Sequence, residues 1–509
     1  MPRMRAPETL VEEMPLRKLV GQALAVYPEC YSEKLASLLE DTQAGSIIFV
    51  PKGIKSGQEA RRITEALQRV PAMNQHGLPL LVCSEHDGGF GALPPKATPF
   101  PSSMAIAASR SAKRCYDVAF ALALELRSIG VNVNLAPVAG LNHGSENPFG
   151  IRSFGDDSSL AAKLAGAYVR GLQHGGVSAA ATPFPVRPGA ESKGKLVITH
   201  PLERLLSLEL KPFSECVRVG ADAALMGMAT VQAIDPSEAA AMSSRVVTGL
   251  LRGRLGFRGL AIADLRGEEA ARLDASKAME AGNDLLIIEE SAAPNASEEI
   301  LAEARKSRVF ARRVREAALR VLGLKSKRLS RFRRPSLAAY GASLHLRLAQ
   351  KVAAESVAVA KNGGNIPLKK DGTVLVICPK LGEGAETGSS ALSEAIRNFG
   401  RQVRDFPVGV HPTKEEARRA SEEAGSSENV VLGSLDGHAN KELADLVRQC
   451  LEANPSAILV SLGNPYELKL YGAQNCIATF GFSKPSLDAA AAIMLGKSKP
   501  LGTMPVKLS

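Results

Sequence analysis

LRGRLGFRGLAIADLRGEEAARLDASKAMEAGNDLLII, residues 251–288, holds the pattern on which the fold turns. Two apolar runs, Leu260–Ala263 and Leu285–Ile288, are too short for helices and show no polar alternation. Such runs fit strands buried on both faces, as in parallel sheets covered by helices. The rhythm continues toward the N-terminus. Further strand candidates are Ser46–Val50, Pro79–Cys83, Val131–Ala136, Val177–Ala181 and Ala223–Met226, with helix-like segments such as Ser111–Ile129 and Ser159–His174 between them. Seven or eight such units in roughly 300 residues predict a TIM-like (β/α)8 barrel of the α/β class, with a doubly wound open sheet as the competing arrangement.

Beyond Leu324 the rhythm breaks. Lys325–Arg334 reads KSKRLSRFRR, and Pro335 with a Ser/Ala/Gly-rich stretch leads on to Ser343. A second α/β unit follows, with strand candidates Val374–Cys378, Val430–Gly433, Ala457–Ser461 and Cys476–Phe480. The expected organisation is a barrel over 1–324, a basic linker over 325–344 and a smaller α/β sandwich over 345–509. A chain of 509 residues exceeds one hydrophobic core, which agrees with that division.

Composition narrows the class. Hydrophobic residues make up 45% and charged residues 23%, ordinary for a soluble globular protein. No apolar stretch approaches the roughly 18 residues of a membrane span, so no membrane association is expected. Met1–Leu19 lacks the apolar core and cleavage site of a secretory leader. The cysteines at 30, 83, 115, 216, 378, 450 and 476 are odd in number and scattered, without a C-x-x-C pair. That argues against a disulfide framework or a zinc site and predicts a cytoplasmic protein without a metal. Much of the net charge of +11 lies in KSKRLSRFRR rather than on a recognition helix, so a nucleic-acid partner is not expected. The basic run reads as a solvated linker, with a polyanion-binding patch as the alternative. The absence of Trp and an aromatic content of 4% disfavour a long oligosaccharide cleft, because sugar faces stack on aromatic rings.

In a barrel, chemistry gathers at the C-terminal ends of the strands. The strand through Cys83 runs into Ser84-Glu85-His86-Asp87-Gly88-Gly89. Val131–Ala136 leads to Pro137 and then to NPFGIRSFG (147–155), which carries Arg152. Leu260–Ala263 ends directly on Asp264. Carboxylates and an arginine converging on the mouth suit sugar hydroxyls and an oxocarbenium-like charge. Each also has an ordinary reading: an Asp ending a strand commonly caps the next helix, and the Glu85/Asp87 loop could do the same.

Taken together, the chain resembles glycoside hydrolase family 3, particularly the two-domain bacterial β-N-acetylglucosaminidases. The resemblance rests on LVGQALAV (19–26), AGSIIFV (44–50), LPLLVCSEHDGG (78–89), GVNVNLAPV (130–138), NPFGIRSFGDD (147–157), LRGRLGFRGLAIAD (251–264) and AGNDLLI (281–287). In the second domain it rests on AAESVAVAKNGGNIPL (353–368), SLGNPYEL (461–468) and LGTMPVKL (501–508). It implies that Asp264 is the catalytic nucleophile and that Arg152, Glu85 and Asp87 bind the sugar, Glu85 standing where the family has an aspartate. It also exposes departures. The family's Lys-His-Phe-Pro-Gly-His-Gly motif is Thr182-Pro183-Phe184-Pro185-Val186-Arg187-Pro188 here. The loop Gly189–Lys195 (GAESKGK) lacks the family's acid/base histidine and its aspartate, and Gly140 replaces a further aspartate. A retaining glycosidase needs both a nucleophile and an acid/base. Candidate substitutes are Glu191, His86, and Asp436 with His438 in the second domain, the last pair reading more readily as an ordinary polar loop. Arg187 with the basic linker offers a minor anion-binding alternative. Two functions follow: a retaining exo-hydrolase removing terminal β-linked N-acetylglucosamine or a related sugar, or an inactive descendant binding a sugar or a protein. Either way the expected ligand is a small saccharide, with no cofactor; the sequence does not fix the oligomeric state.

Overall fold

The computed structural model describes residues 5–70, 78–87, 93–186, 191–192, 195–267, 274–330, 333–380 and 390–508. Eight strands form the barrel of the first domain: β1 (Leu24–Tyr27), β2 (Ser46–Ile48), β3 (Leu81–Ser84), β4 (Val133–Asn134), β5 (Ser178–Phe184), β6 (Ala223–Met226), β7 (Leu260–Asp264) and β8 (Leu285–Glu289). They close in sequence order into a parallel barrel, with β1 pairing both β2 and β8. The expected barrel is therefore present, and the open sheet is not. Strand β1 was not among the expected ones. It follows the helix Leu16–Gln22 with only Ala23 between them, so no loop in the sequence separates helix from strand.

Strand geometry decides what faces the barrel axis. Side chains alternate across a strand. Ala25, Ile48, Leu81, Cys83, Val133, Ala180, Leu225, Ile262 and Ile287 share one buried cluster inside the barrel. Their neighbours Val26, Ile47, Val82, Ala261 and Leu286 belong to the outer cluster that packs on the helices. Carried one step further, the inward parity falls on Tyr27, Glu85, Thr182, Gly227, Asp264 and Glu289. The mouth is thus written by the strands themselves.

The opposite end of the barrel is closed by a helix. The helices that matter here are α1 (Ala112–Ser128), α2 (Ala293–Lys306), α3 (Arg308–Leu329) and α4 (Ser343–Ser356). Val321, Leu324 and Leu329 of α3 pack into the cluster inside the barrel. Arg313 and Arg320 of this helix reach Asp284, just before β8, at 2.7 and 2.9 Å. Lys327 and Arg328 reach Asp222, just before β6, at 2.8 and 2.6 Å. Residues Lys325–Leu329, at the start of the expected linker, thus form the last turn of a helix capping the N-terminal strand ends. Lys325 is fully buried, its Nζ donating to Gln22 Oε1 at 2.6 Å. Burial pulls its ammonium down to about 7.

The second domain is a six-stranded sheet: β9 (Ala358–Asn362), β10 (Val374–Pro379), β11 (Val403–Val408), β12 (Asn429–Ser434), β13 (Ile458–Ser461) and β14 (Asn475–Ala478). Its order is β9-β14-β13-β12-β10-β11, parallel except for β9. Strands β9 and β11 escape a search for buried apolar runs because both lie at sheet edges and are partly exposed. Helix α4 joins the domains. Its Glu355 takes a two-pronged ion pair from Arg114 of α1 at 2.7 and 3.0 Å. His345 of α4 meets Glu125 of α1, which is fully buried, at 2.8 Å. Further links run from Ser102 Oγ to the Phe480 carbonyl (2.6 Å) and from the Tyr466 hydroxyl to the Asn142 carbonyl (3.1 Å). Among the described residues no helix is long and apolar enough to cross a membrane.

Candidate functional site at the barrel mouth

A cavity of about 430 Å³ opens at the C-terminal ends of the strands. Its lining includes Glu85 after β3, Leu135 after β4, Thr182 in β5, Gly227 after β6, Asp264 at the end of β7 and Arg266 just beyond, with Phe149 and Arg152 from the loop after β4. Glu85, Arg152 and Asp264 therefore meet at one cavity. Asp87 joins them from behind, nine-tenths buried and ion-paired with Arg152. Burial raises the Asp87 pKa, and the Arg152 charge and hydrogen bond pull against that rise.

Asp264 is not free. The Arg266 guanidinium donates from Nε to Oδ1 at 2.7 Å and from Nη2 to Oδ2 at 2.5 Å. The same Nη2 lies 2.5 Å from Glu85 Oε1. One arginine thus bridges the two carboxylates that point into the mouth. The Tyr27 ring supports it, with the guanidinium carbon 4.6 Å from the ring centroid. Burial lowers the Arg266 pKa, but the hydrogen bonds and charges of Asp264 and Glu85 outweigh it and raise the value above the ordinary one. The spacing explains the clamp: residues two apart share a parity, so Arg266 emerges on the same side as Asp264 and folds back.

The candidates for an acid/base fall elsewhere. His86 is buried, both ring nitrogens lack a hydrogen-bond partner, and burial lowers its pKa to about 4. It is neutral near pH 7 and has no proton to give. Its backbone is bracketed by Asn134, whose Oδ1 accepts from His86 N–H at 3.0 Å. Asp436 and His438 line a different cavity, of about 670 Å³, between the domains; it borders the mouth through Phe149 and Arg152. Arg187 and the Glu191 side chain, like most of the loop 189–195, lie outside the described residues. Among the described residues lining the mouth, Glu85 and Asp264 are the carboxylates and there is no histidine.

Comparison with known proteins decides the lineage. Residues 16–324 match the model of the glycosyl hydrolase family 3 N-terminal domain. The chain belongs to glycoside hydrolase family 3. Among solved structures, this family 3 protein is similar to a β-N-acetylglucosaminidase of the family from Paenibacillus sp. str. FPU-7, at 27% identity and a TM-score of 0.90, covering 97% of this chain and 99% of that one. A relative named beta-hexosaminidase A from Pseudoalteromonas piscicida is 23% identical over 94% of this chain and 91% of its own. A beta-hexosaminidase of Thioalkalivibrio sulfidiphilus is 31% identical over 45% of this chain and 66% of its own.

Two features of the family 3 protein's mouth region were not visible in the sequence. Arg266 and Tyr27 are the first. The signal for Arg266 was its parity with Asp264; Tyr27 was hidden with its unrecognised strand. The second is a cluster beside the loop after β4. His143 Nε2 meets the buried Glu209 at 3.1 Å, with His200 at 3.7 Å and Arg204 at 3.4 Å. Burial pushes the Glu209 pKa up, but the His143 hydrogen bond and electrostatic attraction to His143, His200 and Arg204 hold it below the ordinary value. His200 is thus engaged with Glu209, and neither it nor His143 lines the mouth cavity. No group of three or more His, Cys, Asp or Glu among the described residues is placed to hold a metal ion.

Proposed function

We propose that the barrel mouth binds a terminal β-linked N-acetylglucosamine, or a closely related sugar, and that hydrolysis there is suppressed. The observation that carries this reading is the two-pronged Arg266–Asp264 ion pair, with Glu85 on the same guanidinium. Arg152, Glu85 and Asp87 are the proposed sugar-binding groups, and Asp264 occupies the proposed nucleophile position. In a retaining reaction the carboxylate attacks the anomeric carbon as positive charge develops on the sugar ring. Here its lone pairs are directed into charge-assisted hydrogen bonds, and a guanidinium stands where that positive charge would build. Attack requires breaking one or both bonds, each about 1.5–3 kcal/mol. The lack of an acid/base on the described lining would cost roughly a further two to four powers of ten in rate.

The test pairs binding with turnover. Calorimetry with N-acetylglucosamine should detect binding that Arg152→Ala weakens. Rates on chromogenic β-N-acetylglucosaminides should be equal, and at background, for the wild type and Asp264→Ala. A wild-type rate far above that of Asp264→Ala would overturn suppression and support a working hydrolase. No sugar binding at all would remove the saccharide reading.

A further inference from the structure

The net charge of this protein is concentrated in one place. Residues 305–334 contain thirteen Lys or Arg and one Glu, a net +12, against +11 for the whole chain. Helix α3 supplies most of it and lays it across the closed end of the barrel, away from the mouth. Some of that charge has a structural use. Asp284, fully buried, takes ion pairs from Arg252, Arg313 and Arg320 at 2.5, 2.7 and 2.9 Å. Asp222 takes them from Lys327 and Arg328. Arg258, exposed on the loop before β7, has no ion pair among the described residues, and Glu316 sits 3.9 Å from Arg313. Among these named groups six cations face three carboxylates.

Pairing does not exhaust these groups. Arg252 Nε and Arg313 Nη1 are buried with no hydrogen-bond partner. Neither residue lines the open cleft at this end of the barrel. A cleft of about 500 Å³ runs between α3 and the loops that lead into β6 and β7, with Arg258, Arg320, Lys327 and the carboxylate Asp222 on its lining. Its walls are kept low by Gly220, Gly256 and Gly323, none of which has a neighbour within 4 Å of an added Cβ. From the cleft, exposed cations continue along α3. Arg308, Arg312, Glu316, Arg320, Gly323 and Lys327 follow one another at three- or four-residue spacing, which places them on one helix face.

We propose that this cleft is an anion-binding site for a ligand carrying clustered phosphate groups, such as a di- or triphosphate. The charge sign fits: three cations on the lining outnumber its one carboxylate, Asp222, and the exposed cations along α3 add to that surplus. Guanidinium groups suit phosphate because their planar N–H donors bind its oxygens in pairs. The site lies at the opposite end of the strands from the sugar-binding mouth, so it stands or falls separately from the proposed function.

The probes are inorganic phosphate and tripolyphosphate, titrated by calorimetry into the full chain at low salt. Tripolyphosphate should bind at least tenfold more tightly than phosphate, and its affinity should fall as salt rises. Arg258→Glu, an exposed position without an ion pair, should lower that affinity at least tenfold while leaving the ligand-free melting temperature unchanged. Arg312→Glu, farther along the stripe, should weaken tripolyphosphate less than Arg258→Glu does. Absence of tripolyphosphate binding overturns the proposal. So does binding that survives Arg258→Glu, which would place the anion elsewhere. Equal affinity for phosphate and tripolyphosphate would overturn the clustered-phosphate specificity.

Discussion

Removing Arg266 should release Asp264. In Arg266→Ala the carboxylate loses its two guanidinium bonds, at 2.7 and 2.5 Å, and with them the positive charge beside the anomeric position. Only bonds that must break before attack count toward the rate. If one breaks, the barrier falls by about 1.5–3 kcal/mol, corresponding to about tenfold to 150-fold. Part of that gain is offset. Without the arginine, Asp264 and Glu85 face each other as like charges, which favours one of them taking up a proton. The substrate must therefore be chosen to isolate the nucleophile. A dinitrophenyl N-acetyl-β-glucosaminide has a leaving group that departs without protonation, so the first step does not need the missing acid. Azide can then release the glycosyl enzyme without a base. Initial rates of dinitrophenolate release should rise at least tenfold in Arg266→Ala with azide, and fall back in the Arg266→Ala/Asp264→Ala double variant. The loss of contact between Arg266 and the Tyr27 ring should reduce stability by only about 0.5–2 kcal/mol, leaving the fold intact. A variant with near-wild-type melting that is no faster than wild type would refute the clamp as the cause of suppression.

Three further outcomes concern the scaffold. Asp284→Asn removes a buried carboxylate from three arginines; denaturant unfolding should show a loss of about 3–5 kcal/mol. Glu467 is fully buried and accepts from Ser434, Ser461 and the Gly437 N–H, and burial raises its pKa to about 7. A raised folded-state value makes the native state hold its proton longer than the unfolded chain, so stability should fall as pH climbs from about 4.5 to 7. Denaturation midpoints across that window should flatten in Glu467→Gln. Lys325 has the opposite sign: its value, lowered to about 7, makes the unfolded chain the better proton binder above that pH. Stability should rise between about pH 7 and 10.5, and this slope should vanish in Lys325→Met.

How much of this was legible beforehand follows from where each residue sits. The inner barrel strands announced themselves because burial on both faces leaves only apolar residues, as in Leu260–Ala263 and Leu285–Ile288. Strand β4 shrank to Val133–Asn134, fewer residues than the apolar run around it. Edge strands such as Val403–Val408 read as mixed sequence because one side is wet. At the mouth, alternation is enough to bring Glu85 and Asp264 to the same opening. What alternation does not give is the conformation of a long side chain. Arg266, in a loop after a strand, reads as a solvated residue; only the three-dimensional proximity of two carboxylates and Tyr27 folds it back. Long-range partners such as Glu209 with His143 likewise leave no local pattern, since they lie 66 residues apart.

The cap formed by α3 makes the end of the family's sequence pattern a poor place to cut. That pattern stops at residue 324, yet the last turn of α3 still supplies Lys327 and Arg328 to Asp222 and Leu329 to the barrel interior. A chain ending at Leu324 would leave a buried aspartate without its two cations and expose the apolar floor of the barrel. The residues that lead into the sandwich are also the ones that keep water out of the barrel from below.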